Sequence, residues 1–215
     1  MSEKEGVIKF QLDFQSAAAL SAETIAELNA WRKVLVMMGM IGQTPERYSN
    51  YGFGNISRRL TTVAHPKADC PFIISGTQTG GIADLQAQHY ATILNCIPTE
   101  NRVLAQGPMK PSSESMTHGI VYAVSAETNW VFHAHDPHIW RQATALNIPT
   151  TDPAIPYGTP EMSAEVVRLF ADSDVSKRKI FSMGGHEDGI VTFGSSAEQA
   201  GGVLLTYLAA ALARI

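Results

Sequence analysis

The chain has 215 residues, 45% of them apolar and 17% charged, with a formal net charge of −4. That is the composition of a soluble globular protein, and the length suits one domain, 1–215, with a sizeable core. The acidic balance argues against nucleic acid as a partner, which would require a basic face. The tight basic cluster Lys177-Arg178-Lys179 is short and reads as a solvated turn before a strand. Cys70 and Cys96 form no CxxC pair, and Met1 to Glu5 opens no apolar signal region, so reduced thiols and a cytoplasmic location are expected. No apolar stretch reaches the roughly 18–20 residues of a membrane span.

Residues 1–20 read as an irregular lead-in. Ser21 is an N-cap signal with Glu23 in the first turn, and Ile25, Leu28, Trp31, Leu35 and Met38 follow at helical spacing up to Gly39. A Gly-rich strand region spans Tyr51 to Ser57, and a short buried strand, Pro71 to Ser75, runs into Gly76-Thr77-Gln78-Thr79-Gly80-Gly81. His89 to Ile97 alternates as a strand, and Glu114 to Val124 reads as a helix. Asn129 to His135 is an apolar strand, after which Asp136 caps a helix with Pro137 at its first position. Thr159-Pro160 repeats that signal. Lys179–Met183 and Gly189–Phe193 form a hairpin-like pair of strands, and Ser195-Ser196-Ala197-Glu198 reads as a capping box opening the last helix. Interleaved elements with hairpin pairs predict a mixed or antiparallel sheet covered by helices.

The chemistry concentrates in Phe132-His133-Ala134-His135-Asp136. Residues i and i+2 of a strand share a face, so His133 and His135 can present two imidazoles side by side to a metal such as zinc. Two chance histidines at a strand end are the plainer alternative. Met183-Gly184-Gly185-His186-Glu187-Asp188-Gly189 adds a third histidine in a tight turn, after two glycines that permit close backbone approach. Three nitrogen ligands with an open position are the catalytic zinc pattern. Glu187 and Asp188 read as supporting or solvated groups, and His138 as an orienting or packing residue. Pro111-Ser112-Ser113-Glu114 places a carboxylate at a helix mouth, with His118 one turn on. It serves either as a dipole-favoured first-turn acid or as part of an anion-friendly site. Gly52-Phe53-Gly54-Asn55 and Ser75-Gly76-Thr77 are small-residue loops whose N–H groups suit a phosphate or carboxylate.

The order Gly54-Asn55-Ile56-Ser57, Ile74-Ser75-Gly76-Thr77, Pro111-Ser112-Ser113-Glu114, His133-Ala134-His135 and then a late His-containing turn resembles the class II aldolase/adducin family. The likeness runs from about residue 23 to the C-terminus. It implies an α/β fold, a three-layer α/β/α sandwich around a mixed, largely antiparallel sheet. It also implies a homo-oligomer, commonly a cyclic tetramer, and a small-molecule substrate, with no nucleic-acid or membrane partner. The implied metal ligands are His133, His135 and His186, holding one divalent ion per subunit, zinc first and Mn, Co, Ni or Fe as alternatives. Glu114 matches the family's acid/base. Gly54, Asn55, Ser75, Gly76, Ser112 and Ser113 match its substrate- and phosphate-holding loops.

The implied activity is that of a carbon–carbon lyase on a small hydroxy-carbonyl or sugar-phosphate compound through an enediolate. The alternatives are epimerase, dehydratase or decarboxylase chemistry on the same site, or a non-catalytic adducin-like binding module. The sequence departs from the family pattern in several places. A gapless match would put Asp188 at the third ligand position, and a two-residue insertion keeps His186 there. The stretch Pro149 to Ala154 is short and lacks the aldolases' loop tyrosine, Tyr157 matching a different one. Gly52 stands where those enzymes carry a phosphate-binding threonine, and no tail follows the last helix.

Overall fold

The computed structural model describes residues 6–60 and 71–215; Cys70 lies outside them. Ser21 caps helix α1 (Ala22–Met37) by accepting from the Thr24 N–H. The helix closes in a Schellman arrangement, with Gly39 N–H on the Val36 carbonyl and Met40 N–H on that of Leu35. Gly39 takes the left-handed conformation this end requires, at φ +69°. The chain is thereby turned so that the Met40 carbonyl accepts the His135 N–H.

Eight strands form one sheet among the described residues. They are β1 (Gln11–Ser16), β2 (Asn55–Arg59), β3 (Phe72–Ser75), β4 (Tyr90–Ile97), β5 (Arg102–Gly107), β6 (Trp130–His135), β7 (Ile180–Ser182) and β8 (Gly189–Gly194). Their order is β1-β5-β4-β3-β2-β6-β8-β7. Only β1 and β5 pair in parallel; every other strand pairing is antiparallel, so the sheet is mixed and largely antiparallel as expected. The hairpin of β7 and β8 and the strands at 72–75, 90–97 and 130–135 fall within about a residue of the expected positions.

The remaining helices are α2 (Ser115–Val124), α3 (Pro137–Arg141), α4 (Pro160–Asp172), α5 (Val175–Arg178) and α6 (Ala197–Leu212). Alternating side chains send the strands' apolar groups to both faces of the sheet. Phe72, Ile74, Val131 and Val191 pack with Met116, Ile120, Met162, Val166 and Leu169 of α2 and α4. Ile56, Ile73, Phe132, Ala134 and Ile190 pack on the other face with Leu28, Leu35, Ile139, Ala200 and Leu204 of α1, α3 and α6. Two cores on opposite faces of one sheet make the three-layer α/β/α sandwich.

Three expectations are corrected. Residues 1–20 are not irregular throughout, because 11–16 form the edge strand β1 beside β5. This segment gives no local signal: its partner lies some 90 residues away, and in its short Gln-Leu-Asp-Phe pattern the only apolar groups, Leu12 and Phe14, are half-buried. Lys177-Arg178-Lys179 is not a simple turn, since it ends the short helix α5 with Lys179 left-handed. The α6 box is shifted by one residue: Ser196 caps the Gln199 N–H, and the Gln199 Oε1 returns to the Ser195 N–H at 2.8 Å.

Candidate metal centre

His133 and His135 lie on β6 with Val131, on the face covered by α2 and α4, where the two-residue period puts them. His186 sits in the tight turn between β7 and β8. The two glycines before it are required there: a Cβ on Gly184 would lie 2.3 Å from the Thr151 carbonyl, and one on Gly185 2.1 Å from that of Ile155. The turn therefore presses against the 151–155 segment and carries His186 inward. The ring centroids are 4.9 Å apart for His133–His135, 5.2 Å for His133–His186 and 4.8 Å for His135–His186. One ligand atom from each lies within 4.8 Å of the others.

All three rings are buried. Burial holds the His133 imidazole down at about 3. Burial first, then the charges of neighbouring histidines and of Arg47 or Lys9, keeps His135 and His186 well below the ordinary value. Neutral rings with lone pairs available are the form a metal takes. The His133 Nδ1 faces the Asn55 amide at 3.2 Å, and among the described residues its Nε2 has no hydrogen-bond partner. Nitrogen donors, mutual reach and a buried ring nitrogen without a partner together fit a borderline divalent ion.

The other expected residues distribute as follows. Glu114 is buried at the N-cap position of α2 and its side chain makes no cap bond, so it is not a first-turn capping acid. His118, one turn on, is fully buried; its Nδ1 lies 2.6 Å from Ser57 Oγ, which in turn lies 2.7 Å from Tyr122 Oη. Gly54, Asn55, Gly76, Ser112 and Ser113 line one small cavity. Ser75 does not; its Oγ accepts the Ile56 N–H within the sheet. His138 is exposed on α3. The Asp188 carboxylate is engaged by the Tyr48 hydroxyl at 2.7 Å, with Arg47 at 3.7 Å, whereas His186 joins the cluster.

Several residues around the cluster had no sequence signal. The Tyr48 ring stacks edge-on against His135 at 4.7 Å. Arg47 donates to the His135 carbonyl at 3.1 Å and to Tyr48 Oη at 2.8 Å. Tyr48, Ser49 and Asn50 are all left-handed, at φ 49°, 54° and 63°. Strained backbone of this kind collects at functional sites. Tyr157, which the family pattern already matches, lies with its ring 4.5 Å from His186, and Lys9 Nζ is 3.8 Å from the Tyr157 centroid.

The class II aldolase and adducin N-terminal domain matches residues 45–214. The chain belongs to this family. Its fold is shared by L-fuculose-1-phosphate aldolase from Thermus thermophilus, at 19% identity and a TM-score of 0.62, covering 89% of this chain and 92% of that one. The sugar-phosphate aldolase from Thermotoga maritima gives 17% identity, 88% and 92% coverage and a TM-score of 0.62. YgbL from Escherichia coli, for which aldolase, epimerase and decarboxylase are named as alternatives, gives 16%, 88% and 86%, and 0.62. At these identities the likeness shows the fold alone. Among curated proteins none matches the chain. No helix among the described residues of this class II aldolase family member is long and apolar enough to cross a membrane.

Proposed function

We propose that the chain is a metal-dependent lyase acting on a small hydroxy-carbonyl compound, with His133, His135 and His186 as ligands and Glu114 as the acid/base. The observation that carries this reading is the convergence of three buried imidazoles with ligand atoms within 4.8 Å. Three nitrogens favour zinc, and Mn, Co, Ni and Fe suit the same donors. When bound, the ion supplies Lewis-acid polarisation of the substrate's carbonyl. The protein's own groups do the rest. Glu114 removes or returns the proton at the carbon beside that carbonyl. Asn55 and Ser57 lie on β2 beside β6 and support the histidine layer through His133 and His118. Ser112, Ser113, Gly54 and Gly76 line a small cavity together with Asn55, and the Ser75 carbonyl accepts the Ser112 N–H.

A second reading keeps the site and changes the bond broken. The YgbL likeness points to epimerisation or decarboxylation, and dehydration would use the same groups. A buried three-histidine cluster with a buried Glu114 weighs against a purely binding, adducin-like role. A homo-oligomer, a cyclic tetramer, and a cytoplasmic location belong to the same proposal; the buried, free Cys96 fits a reducing compartment. The test is elemental analysis of the purified chain. One divalent ion per chain is expected, lost in His133→Ala and His135→Ala. A metal-free protein from metal-replete cells would sink the reading. Screening the loaded protein against small aldehydes, hydroxy-ketones and their acids then separates lyase from the alternatives.

A further inference from the structure

The cavity lined by Gly54, Asn55, Gly76, Ser112 and Ser113 is also lined by Gly6 and Gln78, and its volume is about 10 Å³. That is room for a single water. Backbone N–H groups in a small-residue loop are receptive to an anion, yet here those of Gly52, Phe53, Gly76 and Thr77 are satisfied from within. Gln78, left-handed at φ 56°, turns its side chain back so that Oε1 accepts the Gly52 N–H at 3.0 Å. An anionic oxygen would use that same donor. The Thr77 hydroxyl is directed at the Gly6 carbonyl at 3.4 Å, and that of Thr79 at the Gly76 carbonyl at 2.9 Å. Gly6 sits so closely over Gln78 that a Cβ there would fall 1.8 Å from Nε2.

The segment carrying Gly6 is fastened in place. Val7 N–H donates to Tyr157 Oη at 3.0 Å, and Lys9 Nζ donates to the Tyr157 carbonyl at 3.1 Å. Tyr157 in turn packs on His186. Residues 6–9 precede residue 45, where the match to the family's domain begins.

We propose that Gly6 and Gln78 close this loop pocket as a specificity device, and that the substrate is a short hydroxy-carbonyl compound without a phosphate ester. The substrate class rests on the proposed metal-dependent reading; the closed pocket does not. The probe pair is glycolohydroxamate, whose two oxygens copy those of a hydroxy-carbonyl compound, and its phosphate ester, titrated calorimetrically into the metal-loaded full chain. The native protein should bind the ester no more tightly than the parent. Gln78→Gly, which suits a left-handed position, should strengthen the ester by roughly tenfold and leave the parent unchanged. A native preference for the ester of roughly tenfold or more, or a variant that shifts both ligands equally, overturns the proposal. Inorganic phosphate titrated into the chelator-treated chain provides an arm independent of the metal. Saturable binding by the native chain would refute the closed pocket even if the histidines hold metal. Binding gained only in Gln78→Gly would uphold it even if the metal reading fails.

Discussion

Asn55 and His133 face each other across the β2–β6 register, with the Asn55 Nδ2 3.2 Å from the His133 Nδ1. In that orientation the ring accepts at Nδ1 and carries its proton on Nε2. With the amide turned over, Asn55 Oδ1, otherwise without a partner among the described residues, accepts from Nδ1–H and leaves the Nε2 lone pair for a metal. On the proposed metal reading Asn55 positions the ligand tautomer, placed one residue after the loop glycine that the family resemblance singles out. Asn55→Leu should weaken zinc binding by roughly 10–100-fold in competition with a chromogenic chelator, while Asn55→Asp should restore it. Equal zinc affinity in Asn55→Leu and the native protein would refute this role.

The same geometry explains what the sequence made legible. His133 and His135 could be read because a strand's two-residue period fixes their common face and Val131 and Phe132 fix which side is which. His186 could be read because two glycines announce a tight turn, although only the folded turn shows that it, and not Asp188, joins the three-histidine cluster. Tyr48 and Arg47 could not. Their place depends on three left-handed residues in succession, none of them glycine, which no propensity signals. The strand β5 was equally silent, since its buried face offers only Val103, Ala105 and Gly107. Nothing in Thr77-Gln78-Thr79 foretells that the amide folds back onto Gly52, because its partner lies 26 residues away in the chain.

Glu114 is buried at the N-cap position of α2, and its side chain makes no cap bond there. Glu114→Gln preserves size and burial and removes the acid/base. Turnover should fall by roughly 10²–10⁴-fold, with metal content and melting temperature unchanged. Paired metal analysis and steady-state kinetics check this. Full turnover in the variant would remove Glu114 from the mechanism.

Four buried histidines, His118, His133, His135 and His186, are held below their ordinary 6.5 by burial, so each stays neutral when folded. The unfolded chain takes up their protons as pH falls through about 6.5, and the folded chain does not. Their contribution to stability is therefore present above that pH and lost below it, with a slope of about 1.4 kcal/mol per pH unit for each histidine. Urea melts of the chelator-treated protein at pH 7.5, 6.5 and 5.5, values chosen to bracket this window, should show a steep loss of stability toward the acid end. Zinc should flatten the loss, since bound ligands compete with protons. A pH-independent midpoint would show that these rings are not buried neutral.

Gly119 brings α2 down onto the sheet at Cys96. A Cβ at Gly119 would lie 2.5 Å from Cys96 Sγ and 2.9 Å from Cys96 Cβ, neither of which has room to retreat in a buried contact. Gly119→Ala should therefore cost about 1–3 kcal/mol through overpacking, despite alanine's better helix propensity. Because α2 carries Glu114 at one end and His118 one turn along, the displaced helix should also lower turnover, while the strand-borne His133 and His135 keep their metal. Shortening the opposing side chain in Gly119→Ala/Cys96→Ala removes Sγ but leaves the Cβ contact, so stability and turnover should return in part and together. Thermal melts and kinetics on the three variants decide it. If Gly119→Ala alone is as stable as the native chain, α2 is not pinned at this contact, and the fixed placement of Glu114 needs another cause.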